Sequence, residues 1–171
     1  MENKLPKRKV TRWKDFDYND DCAYFVTICT ENRRCILSYI VGTGVLDCPE
    51  IQLTEYEKIA EKYIHQLNEF YENISVEDYV IMPNHIHLLL FVNEKIKPVE
   101  SNLTNVIRAN TAFSLFISTF KRFCNKEYGK NIWQSRSYDH VIRNEEDYNR
   151  HLKYISDNPE NWFYDKLYVE E

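Results

Sequence analysis

Alternating apolar segments joined by a two-residue turn, helical stripes lying between them and short connections predict an α+β fold. The architecture expected is an antiparallel sheet with ferredoxin-like topology, sandwiched by helices, in the order β-β-α-β-β-α-β-α. Residues 23–30 (AYFVTICT) are β-branched and aromatic and read as the first strand, followed by polar residues 31–34. Residues 35–40 and 45–46 flank Gly42-Thr43-Gly44, the composition of a hairpin. Thr54, with Glu57 three residues on, has the form of a capping box. Ile59, Ala60, Tyr63, Ile64, Leu67, Phe70 and Tyr71 then recur at helical spacing. Residues 74–82 form the next strand, Pro83-Asn84 a turn, and residues 85–92 the strand that answers it. After a polar connection over 93–101, Val106, Ile107, Phe113, Phe116, Ile117, Phe120 and Phe123 predict a second long helix over 103–128. Residues 132–143 read as a loop entering a strand at 138–142. Asn144 caps a final helix over 145–157, which Asn158-Pro159 ends because proline disfavours helix in the residue before it.

The 171 residues are a single domain's worth of chain, and 43% aliphatic and aromatic content suffices for a core. Only 3 Gly and 5 Pro leave little room for linkers, so one domain over 1–171 is expected, with residues 1–20 as a basic N-terminal arm. The five cysteines are odd in number and contain no C-x-x-C pair, so neither a disulfide framework nor a zinc knuckle is indicated. No apolar run approaches the ~20 residues of a membrane span, and MENKLPKRKV has no apolar stretch behind its charges. A cytoplasmic protein with no membrane partner is the expectation. The net charge of −5 is unevenly placed: residues 1–14 carry six basic side chains against Glu2, a local +5 that leaves −10 on the remainder. Such an arm either contacts phosphate or solubilises the chain.

Two segments carry candidate chemistry. In MPNHIHLLLFV, His85 and His87 project from one face of a strand, about 7 Å apart, while Ile86 and Leu88 project from the other. Two imidazoles so placed can converge on one divalent cation, although a plain surface pair has the same spacing. In the final helix, His151, Tyr154 and Asn158 fall within ~60° of arc, with Tyr148, Leu152 and Ile155 as the adjacent apolar stripe that packs the helix down. In a chain with 13 tyrosines, one phenol on a helix can equally be structural.

Taken together, these segments resemble the HUH-type single-tyrosine transposases of bacterial insertion sequences and, among them, the REP-associated tyrosine transposases. The resemblance rests on residues 24–34 (YFVTICTENRR), 82–90 (MPNHIHLLL), 113–123 (FSLFISTFKRF), 133–143 (WQSRSYDHVIR) and 147–159 (DYNRHLKYISDNP), in the family's order and over most of the chain. It implies that His85 and His87 are metal ligands, that Asn158 supplies a third, amide-type ligand where related enzymes use Gln, and that Tyr154 is the nucleophile. It also implies Mg²⁺ or Mn²⁺ as cofactor, single-stranded or hairpin DNA as partner, and a monomer or homodimer. Tyr138 is the other tyrosine weighed, but it lies in a predicted strand without an amide at helical spacing. Lys121, Arg122 and Arg136 look like DNA contacts. Single-strand binding calls for stacking aromatics and a basic groove, for which Trp13, Phe25, Arg33, Arg34, Trp133 and Tyr138 are candidates, with Lys7, Arg8 and Lys9 in the arm.

The implied chemistry is coherent. A divalent ion on a non-bridging phosphate oxygen neutralises charge, and a phenol with pKa ~10 is both a usable nucleophile and a workable leaving group. The resulting 5′-phosphotyrosine stores the bond energy, so religation at hairpin-flanked sites needs no ATP. Three alternatives stay open: a catalytically idle, host-retained hairpin-binding protein, a metal-dependent nuclease using water, and a structural α+β module.

Overall fold

The computed structural model describes residues 22–41, 50–92 and 112–169. The basic arm with Lys7, Arg8, Lys9 and Trp13, the turn at 42–44, the strand expected at 45–46, the connection over 93–101 and the start of the second long helix lie outside these residues. The elements in chain order are β1 (Cys22–Cys29), a 3₁₀ turn (Glu31–Arg33), β2 (Ser38–Val41), β3 (Glu50–Leu53), α1 (Glu55–Phe70), β4 (Ile74–Ile81), β5 (His85–Val92), α2 (Ala112–Tyr128), β6 (Tyr138–Val141), α3 (Glu145–Asp157) and a second 3₁₀ turn (Trp162–Tyr164).

Four strands form one antiparallel sheet in the order β4-β5-β1-β6. With the hairpin set aside, the chain runs β-α-β-β-α-β through a sheet whose first strand lies inside, next to the third. This is the ferredoxin-like arrangement, as predicted. The two-residue turn at Pro83-Asn84 is closed by the Met82 N–H donating to the His85 carbonyl at 2.9 Å, which sets the register of β4 on β5. Before α1 the predicted hairpin pairs residues 35–40 with 45–46, the latter outside the described residues, whereas the described residues hold a further strand that the sequence order lacked. The partner of β2 is β3, four residues of modest strand propensity directly ahead of the helix cap, and the two form a small separate sheet.

Alternation along β1 and β5 splits the sheet into two apolar faces. Tyr24, Val26 and Ile28 of β1 and Ile86, Leu88 and Leu90 of β5 pack with α1 and α2 through Ile64, Leu67, Phe113, Phe116 and Phe120. Ala23, Phe25 and Leu89 face the other way and pack with Ile155 of α3 and with Trp162. Helices thus lie on both faces, with α3 on the face that carries the two histidines.

Thr54 caps α1, accepting the Glu57 N–H at 3.3 Å. Glu57 itself is buried, and burial, with Glu61 alongside, pushes its carboxyl up to about 7. A folded-state pKa raised above the unfolded value favours the protonated native state. The stability this group contributes is full below the ordinary carboxylate pKa and is lost as pH rises through about 7. Glu57→Gln should therefore stabilise the protein at pH 8, by about 1–3 kcal/mol, and leave it nearly unchanged at pH 4. Urea unfolding at the two pH values measures this, and equal effects at both would remove the burial argument.

Candidate active site

The site is built where β5 runs alongside β1. Residues directly opposite in an antiparallel pair share a face, so His87 lies across from Thr27 and His85 across from Cys29. Both histidines are buried, with ring centroids 4.4 Å apart. Asn84 determines the tautomer of His85. The Asn84 amide Nδ2 donates to the carbonyls of Arg33 (3.3 Å) and Leu167 (2.8 Å), which turns its Oδ1 towards His85. His85 Nδ1 must then carry the proton it donates to that oxygen at 2.8 Å, leaving Nε2 with a bare lone pair. His87 Nδ1 pairs with the Thr27 hydroxyl at 3.0 Å. The Nε2 atoms of both rings are buried without a hydrogen-bond partner among the described residues. Burial, with Arg33 nearby, lowers His85 to about 3, and burial, with His85 alongside, holds His87 well below the ordinary range. Both rings are neutral at physiological pH.

α3 crosses this face and is capped as expected: the Asn144 side chain accepts the Asp147 N–H at 2.8 Å, and Asn158 closes the C-terminal end. Its predicted apolar stripe packs down at Tyr148 and Ile155, against the apolar cluster beneath the helix, but Leu152 is 36% exposed. Polar residues Asp147 and Asn158 are buried beside that stripe. Burial pushes the Asp147 carboxyl up, but hydrogen bonds from His140 (2.9 Å), Arg150 (2.5 Å) and the Arg143 N–H (3.2 Å) outweigh that and hold it below the usual range.

Tyr154 is 42% exposed, and its ring stands edge-on to His87 with centroids 5.3 Å apart. Asn158 is buried four residues on, with its Oδ1 unpartnered among the described residues. A residue that sequence reasoning missed joins them. Asp165 Oδ2 accepts the Tyr154 hydroxyl at 2.8 Å and Asn158 Nδ2 at 3.3 Å, and Asp165 lies with His85 and His87 in a cluster whose ligand atoms are all within 4.8 Å of one another. It follows the Trp162–Tyr164 turn, outside any periodic element, so neither spacing nor motif marks it. Burial, then the hydrogen bond to Asp165, pushes the Tyr154 phenol up to about 12.

These groups open onto a groove of about 860 Å³ lined by Phe25, His87, Tyr154, Asn158 and Asp165, with Arg33, Arg136 and Tyr138 among its other walls. Arg33 follows Asn32 in left-handed backbone (φ 54° and 57°), the bend that brings it to the groove. Tyr138 is exposed, and Phe25 is buried beneath the rings of His87, His151 and Tyr154. Lys121 donates to the carbonyl of Gln134, itself a lining residue, at 2.9 Å. Arg34 and Arg122 do not line the groove; Arg122 lies over Phe123 on α2, the layer across the sheet. Trp133 is a correction: it is 1% exposed, packed against Phe120, and is core rather than a stacking platform.

No family model matches the chain. It is 27% identical to an uncharacterized protein of Haemophilus influenzae over 95% of this chain and 94% of that one. It is 29% identical to a second H. influenzae protein, named as a candidate REP-associated tyrosine transposase, over 84% of this chain and 73% of the relative. Among solved structures, it matches a REP-associated tyrosine transposase bound to a REP hairpin with a TM-score of 0.62 and 24% identity, over 91% of this chain and 77% of the other. That likeness is one of fold, and the named relative adds kinship in sequence. The chain is thus similar in sequence to a protein named as a candidate REP-associated tyrosine transposase and in fold to a solved one, in line with its sequence motifs.

Proposed function

We propose that residues 1–171 form one DNA transposase domain, acting in the cytoplasm, that cuts and rejoins single strands at hairpin-flanked sites through Tyr154. The observation that carries this reading is the gathering of a half-exposed phenol with three buried ligand atoms that have no partner among the described residues: His85 Nε2, His87 Nε2 and Asn158 Oδ1. Kinship with transposases, and a shared fold with one solved on a REP hairpin, support it.

The donor set fits a divalent ion. Both imidazoles are neutral, with a lone pair free on His85 by the tautomer argument, and a buried polar atom without a partner costs about 1–3 kcal/mol unless something occupies it. Mg²⁺ or Mn²⁺ held there would neutralise and orient the scissile phosphate, and two nitrogen donors favour Mn²⁺. The chain's own residues do the rest. Tyr154 Oη attacks phosphorus, the bond to the 3′-oxygen breaks, and the products are a 5′-phosphotyrosine and a 3′-hydroxyl that ends with the proton the phenol gave up. Attack by a 3′-hydroxyl on the same phosphorus reverses the step. Arg33 and Arg136 line the groove and would take backbone phosphates, with Tyr138 offering a base-stacking face. Lys7, Arg8, Lys9, Arg34, Lys121 and Arg122 would add phosphate contacts around it.

The test is incubation with an end-labelled, hairpin-bearing oligonucleotide from the gene's own flanks, followed by denaturing electrophoresis. Label migrating with the protein is the expected result. Cleavage with no label on protein would mean a nuclease using water, and binding without cleavage an idle hairpin-binding protein.

A further inference from the structure

The motif residues leave Asp165 unexplained, although it touches two of them. We propose that Asp165 is a further protein ligand of the divalent ion, closing with His85 and His87 a three-residue seat beside Asn158. The proposal rests on the metal-dependent reading above.

Geometry comes first. Donors about 2.1 Å from Mg²⁺ or Mn²⁺ in octahedral coordination stand ~3.0–4.2 Å from one another. The ligand atoms of His85, His87 and Asp165 already lie within 4.8 Å of one another, so contraction of roughly half an ångström seats an ion. Chemistry comes second. Two imidazoles and an amide carry no charge, and hard divalent ions are held mainly by oxygen, above all by carboxylate. Without Asp165 this site would offer such an ion no anionic donor among the three motif ligands. With it, four protein donors still leave about two of six positions for a phosphate oxygen and water.

The carboxylate is also held in place. Asp165 Oδ1 accepts the Leu167 N–H at 2.6 Å, and the Leu167 carbonyl accepts Asn84 Nδ2 at 2.8 Å. The other end of that same Asn84 amide sets the His85 tautomer. One side chain therefore fixes the histidine's lone pair and anchors the loop that carries Asp165. A surface acid paired by chance would have no reason to share its anchor with a ligand. Such coupling is how residues behind a metal site orient its donors.

The test is Mn²⁺ titration of the full chain without DNA, by calorimetry and by the electron paramagnetic resonance signal of free Mn²⁺. Wild type is compared with Asp165→Asn, Asp165→Glu and His85→Ala/His87→Ala, each checked for folding by circular dichroism. Asp165→Asn should weaken Mn²⁺ binding about tenfold or more, Asp165→Glu should restore most of it, and the double histidine variant should lose it. Wild-type affinity in Asp165→Asn, with the histidines still required, overturns the proposal and leaves the transposase reading standing. Should Asp165→Asn fail to fold, Mn²⁺ affinity in Asp165→Glu more than about tenfold below wild type counts against it. Wild-type affinity in the double histidine variant would instead overturn the metal site itself.

Discussion

Tyr154→Phe is expected to abolish the covalent protein–DNA adduct and with it strand rejoining, a loss of roughly three orders of magnitude or more, as for removal of other enzymic nucleophiles. The structure makes the variant interpretable. The side chain is 42% exposed and its hydroxyl donates to Asp165 at 2.8 Å. Removing it should cost about 1 kcal/mol of stability. The ring keeps its edge contacts with His87 and Phe25, and DNA affinity should stay within a few-fold. Tyr138→Phe should leave adduct formation intact. The readout is the slow-migrating labelled protein band, with affinity measured in parallel by fluorescence anisotropy. An adduct persisting in Tyr154→Phe would move the nucleophile elsewhere.

The second large effect concerns the histidines. His85→Ala/His87→Ala should eliminate cleavage and make the protein's thermal stability indifferent to Mn²⁺. An ion at a hundred times its dissociation constant stabilises a native protein by about 2.7 kcal/mol. Wild type should show that rise in melting temperature and lose it in excess EDTA. The variant should melt lower even without metal, because both rings are buried and the Asn84 oxygen loses its donor. The difference between the two proteins' Mn²⁺ responses, not the absolute melting point, is therefore the measurement. Full cleavage by the variant, or by wild type in EDTA, would end the assignment of these residues.

What was legible in the sequence is what short-range periodicity determines. The bounds of β5 and α3 match those predicted, because alternation, the Pro83-Asn84 turn and the Asn144 cap are local signals. Local spacing also offered His85, His87, Tyr154 and Asn158 as candidates, each pair lying within or at the end of one element, while their roles came from the family resemblance. The failures are tertiary. The apolar stripe of the last helix packs as read at Tyr148 and Ile155, yet Leu152 is exposed and the polar Asp147 and Asn158 are buried, which spacing on an isolated helix does not show. Trp133 reads as a stacking aromatic until Phe120 is seen against it. Asp165 could be found only in three dimensions, because it reaches Tyr154 from eleven residues away through a segment without periodicity.

The two halves of the site differ in anchorage. The histidines ride on β5, which is hydrogen-bonded on one side to β1 and on the other to β4, so displacing them means opening the sheet. Tyr154 rides on α3, whose buried residues are Asp147 and Ile155, with Asn158 at its end. Sub-global opening takes the least-buried element first, at a fraction of the free energy of complete unfolding. α3 is therefore expected to open before the histidine strand does. A DNA end bonded to Tyr154 would be moored to the more weakly anchored half of the site, so that the distance between two severed ends would follow the travel of a helix and not the rigid width of the sheet.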